Sequence, residues 1–151
     1  MKPLEFQQEL LFGLENLQKV KSEVDAFQKE TGSTEMRQSA LAYACMGYFN
    51  ALEHLMIRVL KFHRITIPTG STSHQMILTA FQKQTSDLEI DPALYDAIKR
   101  LLGFRHVANK IYGFLINPLK LTEIVAVIQE HHTRLVELFS GISHRAFSDQ
   151  T

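Results

Sequence analysis

The sequence predicts an all-α fold, a four- to five-helix up-and-down bundle. Three observations carry that expectation. Apolar residues recur at three-, four- and seven-residue intervals over long segments. Two Asx-Pro pairs, Asp91-Pro92 and Asn117-Pro118, each mark a helix start. No segment alternates polar and apolar residues as a half-buried strand would. At 151 residues the chain is long enough for one domain with a real core. The expected division is a single helical domain over 1–140 and a polar C-terminal tail over 141–151.

The elements follow in order. Leu4, Leu11, Leu14, Leu17, Val20, Val24 and Phe27 predict a first long helix over about 3–29, ended by Thr31-Gly32-Ser33. A second begins near Ser33 or Thr34 and carries Leu41, Ala44, Cys45, Tyr48, Leu52, Leu55 and Val59 on one stripe. It should stop near His63, before the β-branched run Ile65-Thr66-Ile67 and Pro68-Thr69-Gly70. Ser71 to Ser73 supply a cap for a short third helix over roughly 74–84. The fourth starts at Pro92 and continues to about Tyr112. The fifth starts at Pro118 and ends near Phe139, leaving residues from Ser140 onward to fray.

Composition excludes several classes. Charges interrupt every apolar stretch well short of the ~18 residues of a membrane span, and the N-terminus MKPLEFQQEL has acids where a signal peptide would be apolar. The single Cys45 cannot form an internal disulfide and reads as a small core residue of a reducing, cytoplasmic protein. Formal net charge is zero, yet the first 35 residues hold seven acids against four bases. From His54 to Ser86, and again from Ala97 to Thr122, there is no acid at all. Those stretches carry Arg58, Lys61, Arg64, Lys83, Lys99, Arg100, Arg105, Lys110 and Lys120. If they are neighbours they form a basic cleft suited to phosphates; otherwise they are solvated helix faces that vary by chance.

The richest segment is Phe104 to Gly113, FRHVANKIYG. At about 100° per residue Arg105 shares a stripe with Leu94, Ile98 and Leu101. A guanidinium there must find a partner, because stranding it costs several kcal/mol. Asn109 and Tyr112 share its face, and His106 and Lys110 lie together on the adjoining one. The second helix has a matching misfit: Glu53, on an arc with Met46, Phe49, Met56 and Leu60. The simplest resolution is that Glu53 and Arg105 meet, either as an architectural ion pair or with Glu53 fixing the orientation of Arg105 beside a reaction centre.

Leu101 to Leu115 resembles the signature of the HEPN superfamily, specifically the HepT-like toxins of HEPN–nucleotidyltransferase pairs. That motif is an Arg, a polar residue, a few further positions, a His, and a Tyr two residues later. Arg105, His106 and Tyr112 match its first, second and last members. YACMGYFNALEHLMIRVL, with Tyr48 and Glu53, resembles the family's second helix, and PTGSTSHQMIL, with His74, its following loop and short helix; together they cover about residues 35–125. The resemblance implies a HEPN-type bundle, a homodimer that joins two motifs in one cleft, an RNA substrate and metal-independent endoribonuclease chemistry by descent. It also implies a nucleotidyltransferase-fold antitoxin as partner, Tyr112 as its modification site, and no cofactor, metal or membrane.

One departure bears on activity. Lys110 stands where catalytic relatives carry His. A lysine of pKa near ~10.4 is neutral in only about 1 molecule in 2,500 at pH 7, so it is a poor base. It can still stabilise charge at phosphorus, and His106 can supply proton chemistry in its place. The alternative is a catalytically inactive HEPN module that binds or presents substrate to a nucleotidyltransferase. A purely architectural helical adaptor is a third reading. Catalytic candidates are therefore Arg105, His106 and Lys110, supported by Glu53, Asn109 and Tyr48. Elsewhere, His131 and His132 are adjacent rather than one turn apart and read as solvated helix surface. His54 decorates or joins the basic face, and His74 reads as a capping imidazole at a helix start.

Overall fold

The computed structural model describes residues 2–30, 34–108 and 117–148. Among them are five helices: α1 (Pro3–Lys29), α2 (Thr34–Phe62), α3 (Ser73–Gln84), α4 (Pro92–Ala108) and α5 (Pro118–Ser148), with a 3-10 turn at Ser86–Leu88 before α4. No strand occurs among the described residues. The central element is α2, which packs against each of the other four helices. Leu41, Ala44, Cys45, Tyr48, Leu52, Leu55 and Val59 are all buried along it, as the periodicity requires.

The two Asx-Pro devices form as expected. Ala93 N–H donates to Asp91 Oδ1 and Leu119 N–H to Asn117 Oδ1, each at 2.9 Å, so both side chains occupy otherwise orphaned first-turn amides. The end of α2 is closed by a left-handed Arg64 (φ 60°), which lets Ile65 N–H reach Leu60 O at 3.0 Å.

Two expectations need correcting. Along α1 the buried line is Phe6, Leu10, Leu17 and Val24, whereas Leu4 and Leu11 are 57% and 59% exposed. The cause is Gly13: a Cβ there would lie 2.6 Å from Leu55 Cδ2, so the backbone of α1 approaches α2 at this position. The contact line passes through a residue with no side chain, which a count of hydrophobic positions cannot register. Second, α5 does not end near Phe139 but continues to Ser148. Ile142 and Ser143 are buried, so the last turns have an inner face. Ion pairs from Arg134 to Asp91 (2.9 Å) and Arg145 to Asp87 (2.7 Å) tie α5 to the segment that leads into α4.

Between the helices the core is aromatic and aliphatic. Phe6 stacks on Phe62 with ring centroids 4.2 Å apart, and Phe81 on Phe139 at 5.5 Å. Phe6, Phe81 and Phe139 are fully buried, each contributing on the order of 2–3 kcal/mol through apolar burial, and Phe62 is partly buried. Cys45 sits in this core as expected, and burial pushes its thiol up to about 12, so it is inert as a nucleophile. The end of α3 is fixed by Thr85, whose hydroxyl donates to Phe81 O at 2.8 Å and shares a hydrogen bond with the Tyr95 hydroxyl. No helix among the described residues is long and apolar enough to cross a membrane.

Candidate functional site

α2, α3 and α4 converge on one cluster. Glu53 is 7% exposed on α2, because the turns around it carry Phe49, Leu52 and Met56, which face the core. A carboxylate in that position needs a donor. The donor is His74, in the first turn of α3: Nδ1 lies 2.5 Å from Glu53 Oε2. An ionised carboxylate only accepts, so Nδ1–H donates and Nε2 is left with its lone pair. That lone pair accepts from Arg105 Nη1–H of α4 at 2.9 Å. Arg105 Nε–H donates in turn to Asn50 Oδ1 of α2 at 2.8 Å. The guanidinium carbon lies 5.9 Å from the centroid of the Phe49 ring, which His74 also meets edge-on.

The expected direct pair of Glu53 and Arg105 is therefore corrected. Both misfits sit in one cluster, but the His74 imidazole is interposed between them. The physical reason is steric as well as electrostatic: α3 lies across the gap between α2 and α4 and offers a ring with a donor on one edge and an acceptor on the other. His74 is not a capping residue. Thr72, the residue at the cap position, turns its hydroxyl to Met76 Sδ instead.

Arg105 opens onto a groove of about 590 Å³ between α3 and α4. His74, Lys99, Arg105 and His106 line it over an apolar floor that includes Leu78 and Leu102, and among the described residues no acidic side chain lines it. His106 is exposed there and has no hydrogen-bond partner among the described residues. Arg105 Nη2 is likewise without a partner among them, so part of the guanidinium fork is available to a ligand. Three other members of the expected basic face are drawn to acids instead: Arg58 is 3.5 Å from Glu9, Arg100 3.3 Å from Asp96 and Lys120 3.7 Å from Glu123. Another concavity, of about 410 Å³, lies where the C-terminal ends of α2 and α5 approach and holds none of the candidate residues.

Tyr48 does not join this cluster. It is fully buried, and its hydroxyl donates to His132 Nδ1 on α5 at 2.9 Å. His132 Nε2–H then donates to Gln18 Oε1 on α1 at 2.8 Å. Burial pushes the Tyr48 phenol up and the His132 imidazole down. His132 is thus a buried core residue, 6% exposed, and not solvated surface. Its position was readable: it continues the stripe of Leu121, Ile124, Val125, Ile128, Leu135 and Phe139. Asn50 was also missed, although it precedes Glu53 by three residues on one helix face. Among the candidates, Asn109, Lys110 and Tyr112 lie outside the described residues. No group of three or more His, Cys, Asp or Glu side chains suited to a metal ion occurs among the described residues.

Among the described residues, five helices and no strand form a bundle of the HEPN type, with an arginine near the end of the fourth helix facing a groove of mixed basic and apolar lining. A family model described as HepT-like protein matches residues 40–145, well over half of the chain, and the chain belongs to that family. No curated protein and no solved structure matches it.

Proposed function

We propose that the chain is the HepT-like component of a prokaryotic HEPN–nucleotidyltransferase toxin–antitoxin pair, and that its α3–α4 groove holds an RNA phosphodiester on Arg105. The observation that carries this reading is the half-used guanidinium in a groove lined by Lys99, His74 and His106 without an acid. A fork with unpaired N–H groups suits a phosphate oxygen through charge-assisted bonds. Two copies of α4 meeting across a homodimer would join two such grooves in one basic cleft. In this reading Tyr112 is where the nucleotidyltransferase partner attaches adenylate and silences the toxin.

The active site is that of a metal-independent endoribonuclease by descent, with Lys110 in place of the motif imidazole. General acid–base assistance is worth ~10²–10⁴-fold, so RNA binding persists while cleavage is slow. The test compares wild type, Lys110→His, His106→Ala and Arg105→Ala on one single-stranded RNA in EDTA. Lys110→His should raise cleavage, and Arg105→Ala should lose binding. Efficient cleavage by wild type that only His106→Ala abolishes would assign the proton chemistry to His106 instead. Lys110 also favours a second reading, a non-catalytic module that binds or presents substrate to the nucleotidyltransferase. That reading holds if RNA binds and no variant cleaves. Light scattering at tens of micromolar should give a dimer, and mass spectrometry after co-expression with the partner should find AMP on Tyr112.

A further inference from the structure

With Lys110 at the motif position, the groove still contains an imidazole that is oriented for proton transfer. We propose that His74 is the general base of this groove, taking the proton of an RNA 2′-hydroxyl at Nε2 while Glu53 holds Nδ1–H; the inference rests on the RNA reading above. Three features distinguish His74 from the other basic groups. Its tautomer is fixed by a buried carboxylate at 2.5 Å, which presents the Nε2 lone pair outward. The same carboxylate stabilises the imidazolium that forms when Nε2 is protonated, and its own burial keeps it from being drawn away by solvent. The side chain is 32% exposed and lines the groove, so a nucleophile can reach it. His106 lines the same groove with no orienting partner among the described residues.

The Arg105 contact completes the case. In the resting site Nη1–H occupies the Nε2 lone pair at 2.9 Å. A phosphate oxygen is a stronger acceptor for a guanidinium than a neutral imidazole is. When RNA enters, the fork turns to the phosphate and Nε2 is released beside it. Guanidinium and imidazole then face one phosphodiester, the first on a non-bridging oxygen and the second on the adjacent 2′-hydroxyl. The O2′–P bond forms as the P–O5′ bond breaks, the 2′ proton passes to Nε2, and the departing 5′-oxygen takes a proton from water. The products are a 2′,3′-cyclic phosphate and a 5′-hydroxyl, and the imidazolium returns its proton to solvent.

Gln is the informative replacement, because its amide can donate to Glu53 and accept from Arg105 as His74 does, yet cannot take up a proton. Binding and cleavage of one fluorescent single-stranded RNA in EDTA are measured for wild type, His74→Gln and His74→Ala, each checked for an unchanged helical circular dichroism spectrum. Wild type should cleave slowly to a cyclic phosphate end. His74→Gln should keep its Kd within about threefold and lose about 100-fold or more in cleavage. Added imidazole should restore part of the cleavage to His74→Ala. Cleavage by His74→Gln at the wild-type rate overturns the proposal, as does binding without any wild-type cleavage. Parallel losses of binding and cleavage, with no rescue by imidazole, reduce His74 to a positioning residue and overturn it too. Failure of wild type to bind RNA at all would instead remove the RNA reading on which the proposal stands.

Discussion

His132 and His74 are each bonded at both ring nitrogens, and they serve opposite ends. His132 links the buried Tyr48 hydroxyl of α2 to Gln18 at the exposed edge of α1, a network of uncharged partners whose Tyr48–His132 half is shut off from solvent. His74 links Glu53 of α2 to Arg105 of α4, where the partners are charged and the ring faces a groove. The first network pairs both ring nitrogens inside the packing, so it adds specificity to the core and presents no charged group to a groove. The second leaves guanidinium N–H groups unused. Accessibility and unused valence, more than the presence of histidine, separate a structural site from a functional one.

The largest effect expected from breaking this comparison is at the buried His132. His132→Ala leaves the buried Tyr48 hydroxyl without its partner and opens a cavity, for a loss of about 2–4 kcal/mol in denaturant unfolding. RNA binding per folded molecule should not change. A smaller loss, about 1–3 kcal/mol, is expected for His74→Ala, because the stranded Glu53 carboxylate gains water through the opening that His74 already shares with solvent. In that variant RNA cleavage should suffer far more than stability does. Equal destabilisation at both sites would erase the distinction between them.

Tyr48→Phe should cost about 1 kcal/mol, one neutral hydrogen bond, with the His132–Gln18 contact retained. The pH dependence sharpens the same contrast. Burial, reinforced by Lys21 and opposed by Asp25, holds His132 below its ordinary 6.5. The unfolded chain therefore takes up a proton before the native state does as pH falls. The stabilisation is intact above 6.5 and is lost progressively below it, down to the lower native value. His63, also lowered by burial and opposed by Asp87, acts in the same direction. The melting temperature should fall between pH 7 and pH 5, and His132→Gln should flatten part of that slope. A slope unchanged by His132→Gln would place the titration elsewhere.

The sequence made the helices legible because their starts are written in adjacent residues. Asp91-Pro92 and Asn117-Pro118 cap the helices they announce, and the α2 stripe is buried residue for residue. What it hid was the relation between helices. Periodicity reports which face of one helix turns inward, and it singled out Glu53 and Arg105 correctly as polar groups on apolar faces. It carries no record of a third helix lying across the gap, so His74, 21 and 31 positions away from them, could not be assigned as the bridge. Gly13 was hidden for a different reason: its contribution is the absence of a side chain.

The ion pairs that bind α5 to the segment before α4 have a mechanical consequence. Arg134 grips Asp91 at the very start of α4, and Arg145 grips Asp87 a few residues earlier. Arg105 lies thirteen residues along from Pro92, about 20 Å at 1.5 Å per residue. Treated as a lever pivoting at Asp91, α4 converts a tilt of about 5° into a sweep of roughly 1.7 Å at the guanidinium, enough to part it from His74 and Asn50. A load applied to α5 would thus reach the groove some 20 Å away only to the extent that these half-exposed pairs and the packing of α5 on α4 carry it.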